Sequence, residues 1–265
     1  MLRWLFTFIV TLSAGPAFAG ATDWQELAPG AKARLISTDS VSKGTTLVAL
    51  ELDMPMTTNT YWRIAGETGI PTEFDFAASE GIEGTTINWP YPQIHLAEGY
   101  RDYVYFGPVV LPVELRLSGD SATVDLTATL GVCSDLCMPV RAHFSLPLDF
   151  DKPDAAQTLR IRQALVQVPI DWDLPAEPFG AVVAAADGLS ISAPDGRIDP
   201  DSLIADVGDP ALLFGAPQKS PDGTIWELPL LGGAEGAGLA GRTVQLTFLT
   251  PSGPYSVSRT IAPAE

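Results

Sequence analysis

The sequence predicts an all-β protein made of antiparallel β-sandwiches, a larger one followed by a smaller one. First, short segments that alternate apolar with polar residues recur about every ten residues, as they do in such folds. Second, glycine and proline, 24 and 23 residues in number, separate these segments as turn residues do. Third, the length of 265 residues suits two domains better than one.

In the first part of the chain, the strand patterns follow one another closely. The predicted strands cover residues 33–37, 45–53, 59–64, 74–76, 85–89, 103–106, 109–117, 122–130 and 140–148. Each is rich in β-branched, aliphatic or aromatic residues, which favour strands. Residues 90–100 contain proline and aromatic residues without regular alternation, so an irregular loop is predicted there.

The pattern changes near residue 151. Apolar spacing predicts a helix over residues 155–168 with Asp154 as its N-cap. Further strands are predicted at residues 181–185, 189–193, 211–215, 224–230, 244–249 and 255–261, with a flexible loop at 232–241. The predicted divisions are a signal peptide (1–19), a first β domain (20–150), a helix and linker (151–178) and a second, smaller β-sandwich (179–265) that lacks cysteine and histidine.

The first 19 residues have the pattern of a secretory signal peptide. Arg3 supplies the positive start, residues 4–12 are apolar, and Ala17-Phe18-Ala19 forms a small-x-small site, so cleavage is predicted after Ala19. A membrane anchor is the alternative, but the apolar run is shorter than a spanning helix requires. We therefore expect an exported protein without stable membrane insertion, in a compartment where disulfides persist.

The composition excludes some partners. Cleavage would leave 14 basic against 32 acidic residues, a net charge of about −18. Charge of this sign argues against nucleic acid and anionic lipid as partners.

Cys133 and Cys137 are the only cysteines, and they lie where two strand patterns meet. Residues that face each other at the end of a hairpin are close enough for a disulfide to form with little adjustment. Closing so short a loop stabilises the fold by only about 2 kcal/mol, against about 3 kcal/mol for fifteen residues. This favours redox exchange, while a structural hairpin disulfide stays open as the alternative.

Several short motifs follow one another along the first part of the chain: residues 60–63 (Thr-Tyr-Trp-Arg), 69–71 (Gly-Ile-Pro), 74–76 (Phe-Asp-Phe), 89–90 (Trp-Pro), 110–114 (Val-Leu-Pro-Val-Glu) and the cysteine hairpin at 132–140. In this order they resemble the N-terminal periplasmic domain of the disulfide reductase DsbD, and most closely its variant in ScsB, the suppressor-of-copper-sensitivity relative. The resemblance covers roughly residues 25–150. The three-residue spacer between the cysteines is that of the ScsB-like branch.

The resemblance implies an immunoglobulin-like fold and a thiol–disulfide oxidoreductase that uses no cofactor. Cys133 and Cys137 would take electrons from a membrane-embedded DsbD/ScsB-like or CcdA-like reductase and pass them to periplasmic thioredoxin-like proteins. DsbD and ScsB continue into membrane helices and this sequence does not, so the donor is expected to be a separate protein. We expect Cys137 to form the mixed disulfide.

The family also shields its cysteine pair with a cap loop that bears an aromatic residue. By order along the chain this loop would fall within residues 90–100, with Tyr91, Ile94 and Tyr100 as candidate lids. Tyr61 and Trp62 match an aromatic strand that lies near the pair in the family. Ordinary core packing is the alternative for the aromatic residues among them.

The acidity of the two thiols also bears on function. A cysteine pair held on strands lacks the helix N-terminus that lowers a thiol pKa, and Asp135 is expected to raise the pKa further.

Copper handling is a second functional hypothesis, because methionine, histidine and thiol groups suit Cu(I). Its candidate ligands are Met54, Met56, Met138, His95 and His143 together with the cysteines. Met54 and Met56 are predicted to share one strand face.

Overall fold

The structure is a computed structural model that describes residues 20–134, 136–192, 196–232 and 238–264. The predicted leader and Asp135 lie outside these residues. The predicted all-β class is confirmed, since strands dominate and the described residues contain one α-helix. No helix within the described ranges is long and apolar enough to cross a membrane.

Among the described residues, eleven strands precede the helix. They are β1 (Gln25–Ala28), β2 (Ala31–Ser37), β3 (Thr45–Asp53), β4 (Asn59–Gly66), β5 (Glu73–Asp75), β6 (Ile82–Ile87), β7 (Gln93–Ala97), β8 (Tyr100–Phe106), β9 (Val109–Leu117), β10 (Thr123–Cys133) and β11 (Cys137–Pro147). One sheet has the order β1-β2-β3-β9-β6, and the other has the order β11-β10-β4-β8-β7 with β5 paired to β10. The strand pairings in both sheets are antiparallel.

The core of this part lies between the two sheets. Alternate residues of β10, from Val124 to Val132, are buried in it together with Leu35, Leu50 and Leu111 of the facing sheet. Each such aliphatic side chain stabilises the fold by about 1.5–3 kcal/mol when fully buried. The intervening residues of β10, which end with Cys133, therefore point to the opposite, outer face of their sheet.

Residues 90–100 do not form the predicted irregular loop. Residues Gln93–Ala97 form β7, which pairs with β8 from Gln93↔Val104 to Ala97↔Tyr100. The sequence pattern was too short to indicate this strand, and the pairing with β8 holds it in the sheet.

Helix α1 (Ala155–Leu165) begins as predicted, because the Asp154 carboxylate accepts hydrogen bonds from the backbone amides of Ala156 and Gln157. It ends three residues before the predicted limit. Its buried Ile161 packs with Ile36 and Ala49, so the helix covers the outer face of the first sheet.

In the described part of the chain after the helix, eight strands and a short 3-10 helix (Pro200–Ser202) follow. The strands are β12 (Ile170–Asp171), β13 (Val182–Ala185), β14 (Gly188–Ser192), β15 (Ile204–Asp206), β16 (Gln218–Lys219), β17 (Ile225–Pro229), β18 (Thr243–Thr250) and β19 (Gly253–Thr260). They form two four-stranded sheets, β12-β19-β18-β15 and β13-β14-β17-β16. A separate apolar core, which includes Phe179, Trp226 and Phe248, lies among them.

Two predictions in this part are corrected. The predicted strand at 211–215 is a loop with one isolated bridge from Phe214 to Leu230, and β15 lies upstream of it. The predicted linker at 171–178 begins inside β12, and Trp172 packs against Phe248 and Tyr255. Residues 233–237 of the predicted flexible loop at 232–241 lie outside the described residues.

The two parts of the chain are joined by polar contacts. The Arg63 guanidinium donates to the Asp206 carboxylate and, at 2.7 Å, to the side-chain oxygen of Gln245. Arg101, which is buried, donates to the backbone carbonyl of Asp201 at 3.1 Å. Arg63 belongs to β4 and Arg101 to β8, so the contacts reach the sheet that carries the cysteines.

Candidate functional site

The cysteine hairpin has the geometry that the sequence predicts. Strands β10 and β11 pair without interruption from Thr123↔Pro147 to Cys133↔Cys137, so the cysteines are the last facing pair before the turn. They form a disulfide, with their Cα atoms 4.0 Å apart. Cys133 is 3% exposed, whereas Cys137 is an exposed residue. A partner can therefore reach one sulfur and not the other.

Tyr61 lies against this disulfide. Its strand β4 pairs with β10 through Asn59↔Cys133, and Tyr61 follows two residues later on the same face. The Tyr61 hydroxyl oxygen lies 3.1 Å from the Cys133 Sγ and 3.5 Å from the Cys137 Sγ. Because disulfide sulfurs carry no hydrogen, the hydroxyl is the donor.

The pKa of Tyr61 is raised above its ordinary value. Burial of the phenol is the main cause, since it disfavours the charged phenolate. The Asp102 carboxylate adds to the rise, and a hydrogen bond with the Asn59 side chain opposes it. The hydroxyl therefore keeps its proton and remains a donor across the neutral and mildly alkaline range.

The disulfide and Tyr61 belong to a small apolar cluster on the outer face of the sheet. Tyr61, Ala65, Val104 and Cys133 are its buried members, and Phe106 packs against them. The cluster residues of β4 and β8 alternate along their strands with the residues that enter the main core. One face of the sheet thus packs the fold while the other surrounds the disulfide.

Residues 66–72, which we call the cover segment, lie on Tyr61. Gly69 has no room for a side chain, because a Cβ atom there would come within 2.3 Å of the Tyr61 ring. Gly131 of β10 is similarly confined, with Tyr61 and Ile70 each 2.9 Å from the position of its Cβ. The cover segment therefore extends from the Tyr61 ring to the strand that ends in Cys133.

Hydrogen bonds hold the cover segment on the sheet. The Asp102 carboxylate accepts from the Thr68 backbone amide at 2.9 Å and from its hydroxyl at 2.5 Å. At the other end, the Thr72 hydroxyl donates to the Tyr61 carbonyl at 2.6 Å. The sequence offered a signal for this segment in the Gly69-Ile70-Pro71 motif, but its place over Tyr61 depends on contacts between distant residues.

Of the predicted shielding residues on β4, Tyr61 contacts the sulfurs and Trp62 does not. The Trp62 side chain enters the main core, where its ring packs edge-on against Tyr103 with centroids 6.1 Å apart. The shielding role predicted for Trp62 is therefore corrected, because alternation along β4 directs it to the opposite face.

The candidate lids in residues 90–100 also lie elsewhere. The Tyr91 hydroxyl donates to the Ser202 carbonyl, and Ile94 packs against the main core. Tyr100 is 49% exposed at the start of β8. On β7 it is His95 that faces the cluster around the cysteines, with its ring 5.2 Å from that of Phe106.

The candidate copper ligands are dispersed. Strand β3 ends at Asp53, so Met54 and Met56 do not share a strand face as predicted: Met54 is 3% exposed and Met56 is 72% exposed. His143 lies 2.8 Å from the Asp125 carboxylate. Among the described residues, no group of three or more His, Cys, Asp or Glu side chains is placed to hold a metal ion.

Taken together, the fold and the site define a class: an all-β protein that carries a half-exposed disulfide at the end of a hairpin. Residues 25–149 match the N-terminal domain family of the thiol:disulfide interchange protein DsbD. The resemblance found in the motifs of this part of the chain is therefore confirmed.

Comparison with solved structures extends the likeness beyond the matched residues. The crystal structure of the N-terminal periplasmic domain of ScsB from Proteus mirabilis matches with a TM-score of 0.72 and 24% sequence identity. The match covers 93% of this chain and 100% of that chain, and it shows a shared fold. No curated protein matches the chain.

Proposed function

We propose that the protein is a periplasmic electron carrier that works by thiol–disulfide exchange at Cys133 and Cys137. Its donor is a membrane-embedded reductase of the DsbD/ScsB or CcdA type, and its acceptors are periplasmic thioredoxin-like proteins. The observation that carries the proposal is the asymmetry of the disulfide, with Cys137 exposed and Cys133 buried beneath the Tyr61 hydroxyl. The match of residues 25–149 to the N-terminal domain family of DsbD supports the chemistry.

In the reducing half-reaction, a donor thiolate attacks the exposed Cys137 sulfur. A new sulfur–sulfur bond forms there while the Cys133–Cys137 bond breaks, and its electron pair leaves on Cys133 as a thiolate. A second donor thiolate then attacks the donor sulfur of this mixed disulfide and releases Cys137. The donor pair is oxidised to a disulfide, and the two cysteines gain two electrons and take up two protons.

The oxidising half-reaction runs the same steps in reverse. The Cys137 thiolate attacks the acceptor disulfide, and Cys133 then resolves the mixed disulfide by attacking Cys137. In both directions Cys133 carries negative charge as leaving or resolving group, and the Tyr61 hydroxyl at 3.1 Å is placed to donate to it. Hydrogen bonds to charged groups are the stronger kind.

The cover segment would limit access to this chemistry. It takes the shielding role that the sequence assigned to residues 90–100. Beside it lies a cleft of about 460 Å³ lined by Gly66, Gly69 and Thr72 and, from the later part of the chain, by residues 206, 208–210, 212 and 213. This cleft gives the segment space to shift when a partner docks.

Three further elements complete the proposal. The paired sheets of residues 20–150 form an immunoglobulin-like sandwich, and residues 179–265 form a second sandwich that supports it. Residues 1–19 direct export and are removed after Ala19. Arg63 contacts Gln245 of β18 and Arg101 contacts Asp201 of the 3-10 helix, and these contacts favour a supporting role for the second sandwich.

Two measurements test the function. Equilibration with glutathione or dithiothreitol buffers is expected to give a reduction potential between about −120 and −270 mV, the range of exchange-active proteins. The variant Cys133→Ser should trap a stable mixed disulfide with a thioredoxin-like protein, whereas the matched Cys137→Ser variant should not. A potential below about −300 mV together with no trapped partner would instead indicate a structural hairpin disulfide.

A further inference from the structure

A buried carboxylate without a partner lies where the mature chain would begin. Asp39 is 0% exposed, and neither of its carboxylate oxygens has a hydrogen-bond partner among the described residues. The Ser37 hydroxyl and the Asp149 backbone amide are near enough to lower its pKa, but neither meets hydrogen-bond geometry with these oxygens. An unpaired buried carboxylate is costly and normally has a cation beside it.

The residue beside this carboxylate is Gly20. A Cβ atom on Gly20 would lie 3.2 Å from the Asp39 Oδ2 and 3.0 Å from the Asp154 Cβ. Because the backbone nitrogen and a Cβ share the same Cα atom, the Gly20 nitrogen lies within about 6 Å of the Asp39 carboxylate. Gly20 also has a φ of +77°, which only glycine adopts without strain.

Gly20 is held firmly in this position. Its carbonyl accepts a hydrogen bond from the Ser37 amide at 2.7 Å, and two residues later the Thr22 amide donates to the Leu35 carbonyl at 2.9 Å. The Leu35 amide in turn donates to the Thr22 hydroxyl at 3.0 Å. Residues 20–22 are thus fixed along β2, and the nitrogen of Gly20 cannot move far from Asp39.

We infer that Asp39 binds the α-ammonium group that cleavage after Ala19 creates on Gly20, so that removal of the leader completes a buried ion pair. Before cleavage this nitrogen is a neutral amide and offers no positive charge. After cleavage it carries one positive charge and three N–H donors within about 6 Å of the carboxylate that lacks a partner. Two nearby carboxylates, Asp149 and Asp154, add to the negative potential.

Nearby basic groups are engaged elsewhere. Lys152 pairs with Asp149 at 2.9 Å, and Arg34 pairs with Glu51 at 2.6 Å. No ion pair found within the described residues includes Asp39. The pKa of Asp39 is raised, chiefly by burial and then by the neighbouring carboxylates, as expected for a carboxyl group whose counter-charge is missing.

The test compares two forms of the mature chain, one that begins at Gly20 and one with a single alanine before Gly20. Breaking a buried ion pair is strongly destabilising, so the added alanine should lower the Tm by about 6–20 °C. The Tm difference between the two chain starts should vanish when both also carry D39N. It should persist in D23N, a matched control in which an exposed carboxyl near the chain end is removed.

The pH dependence follows from the pair. The α-ammonium pKa is expected to rise above its ordinary 7.7–8.0, so its stabilising effect is fully present below about pH 7.7 and is lost as pH rises through the raised folded value. The groups that face the pair are Asp149, with its partner Lys152, and Asp154.

Three outcomes would overturn the inference. They are equal Tm values for the two chain starts, a difference that survives in D39N, and an exported protein whose first residue is not Gly20. If D39N fails to fold, NMR titration of the Gly20 α-amine in the otherwise unchanged protein decides the matter. An ordinary pKa there would mean that Asp39 is buried as a neutral acid instead.

Discussion

Replacing Tyr61 by phenylalanine removes one oxygen atom from the site and leaves the ring in place. That oxygen lies 3.1 Å from the Cys133 Sγ, which leaves as a thiolate in the proposed mechanism. A hydrogen bond to a charged group contributes about 1.5–3 kcal/mol, and one pKa unit corresponds to about 1.4 kcal/mol. The variant should therefore raise the Cys133 thiol pKa by about one to two units.

The same loss should slow exchange. Brønsted slopes near 0.4–0.5 for the attacking thiol indicate that charge on sulfur is about half developed in the transition state. If the leaving sulfur behaves in the same way, about half of the hydrogen-bond energy is lost there, and reduction of the disulfide should be about 3–10-fold slower. The assay is the rate of disulfide reduction by dithiothreitol, followed by alkylation and mass measurement, between pH 6 and 9. Because the folded pKa of Tyr61 is raised, its neutral form is favoured until pH rises through that value, and the rate ratio should stay constant over this range.

Tyr105→Phe is the matched control. The Tyr105 hydroxyl donates to the Pro90 carbonyl at 2.7 Å on the core side of the same sheet. It should change stability without changing the ratio of reduction rates. Equal reduction rates and equal Cys133 pKa values in Tyr61→Phe and the unaltered protein would refute the role given to the Tyr61 hydroxyl.

Three more predictions concern the same face of the sheet. In the reduced protein, Cys137 should react with iodoacetamide at least about tenfold faster than Cys133, because a buried thiol is both inaccessible and harder to ionise; equal labelling by peptide mass mapping would contradict this. Gly69→Val should displace the cover segment from the Tyr61 ring and speed reduction by small thiols, and a slower rate would argue against shielding. Asp102→Asn should lower the pKa of Tyr61, measured by phenolate absorbance, because a negative charge that raises it is removed; an unchanged value would show that burial alone sets it.

The strands that sequence patterns predicted best are long, rich in aliphatic residues and bounded by turn residues at both ends. Strands β3 and β9 have the predicted limits, residues 45–53 and 109–117, because each is a nine-residue segment of this kind. Strand β7 was missed because its five residues follow a proline-containing stretch. Its pairing with β8, and not its own propensity, places it in the sheet.

The site was predictable only where its residues are neighbours along the chain. The facing positions of Cys133 and Cys137 follow from the hairpin pattern, and the register confirms them. The contact between Tyr61 and Cys133 joins residues 72 positions apart. The family resemblance suggested this contact, whereas the periodicity of the sequence could not predict it. The cover segment depends on Asp102, which sits on another strand, so the sequence alone could not place it over Tyr61.

The asymmetry of the disulfide gives the proposed exchange a fixed order of events that thiol acidity alone would not provide. A pair held on strands lacks the helix N-terminus that lowers a thiol pKa in thioredoxin-like sites. Here the difference in exposure between the two sulfurs decides which one is attacked in the proposed exchange, because a partner reaches Cys137 while Cys133 stays within an apolar cluster. The hydroxyl of Tyr61 then offers the buried sulfur a hydrogen bond where burial alone would disfavour its charge. Exposure therefore selects the sulfur that is attacked, and Tyr61 makes the other an adequate leaving group.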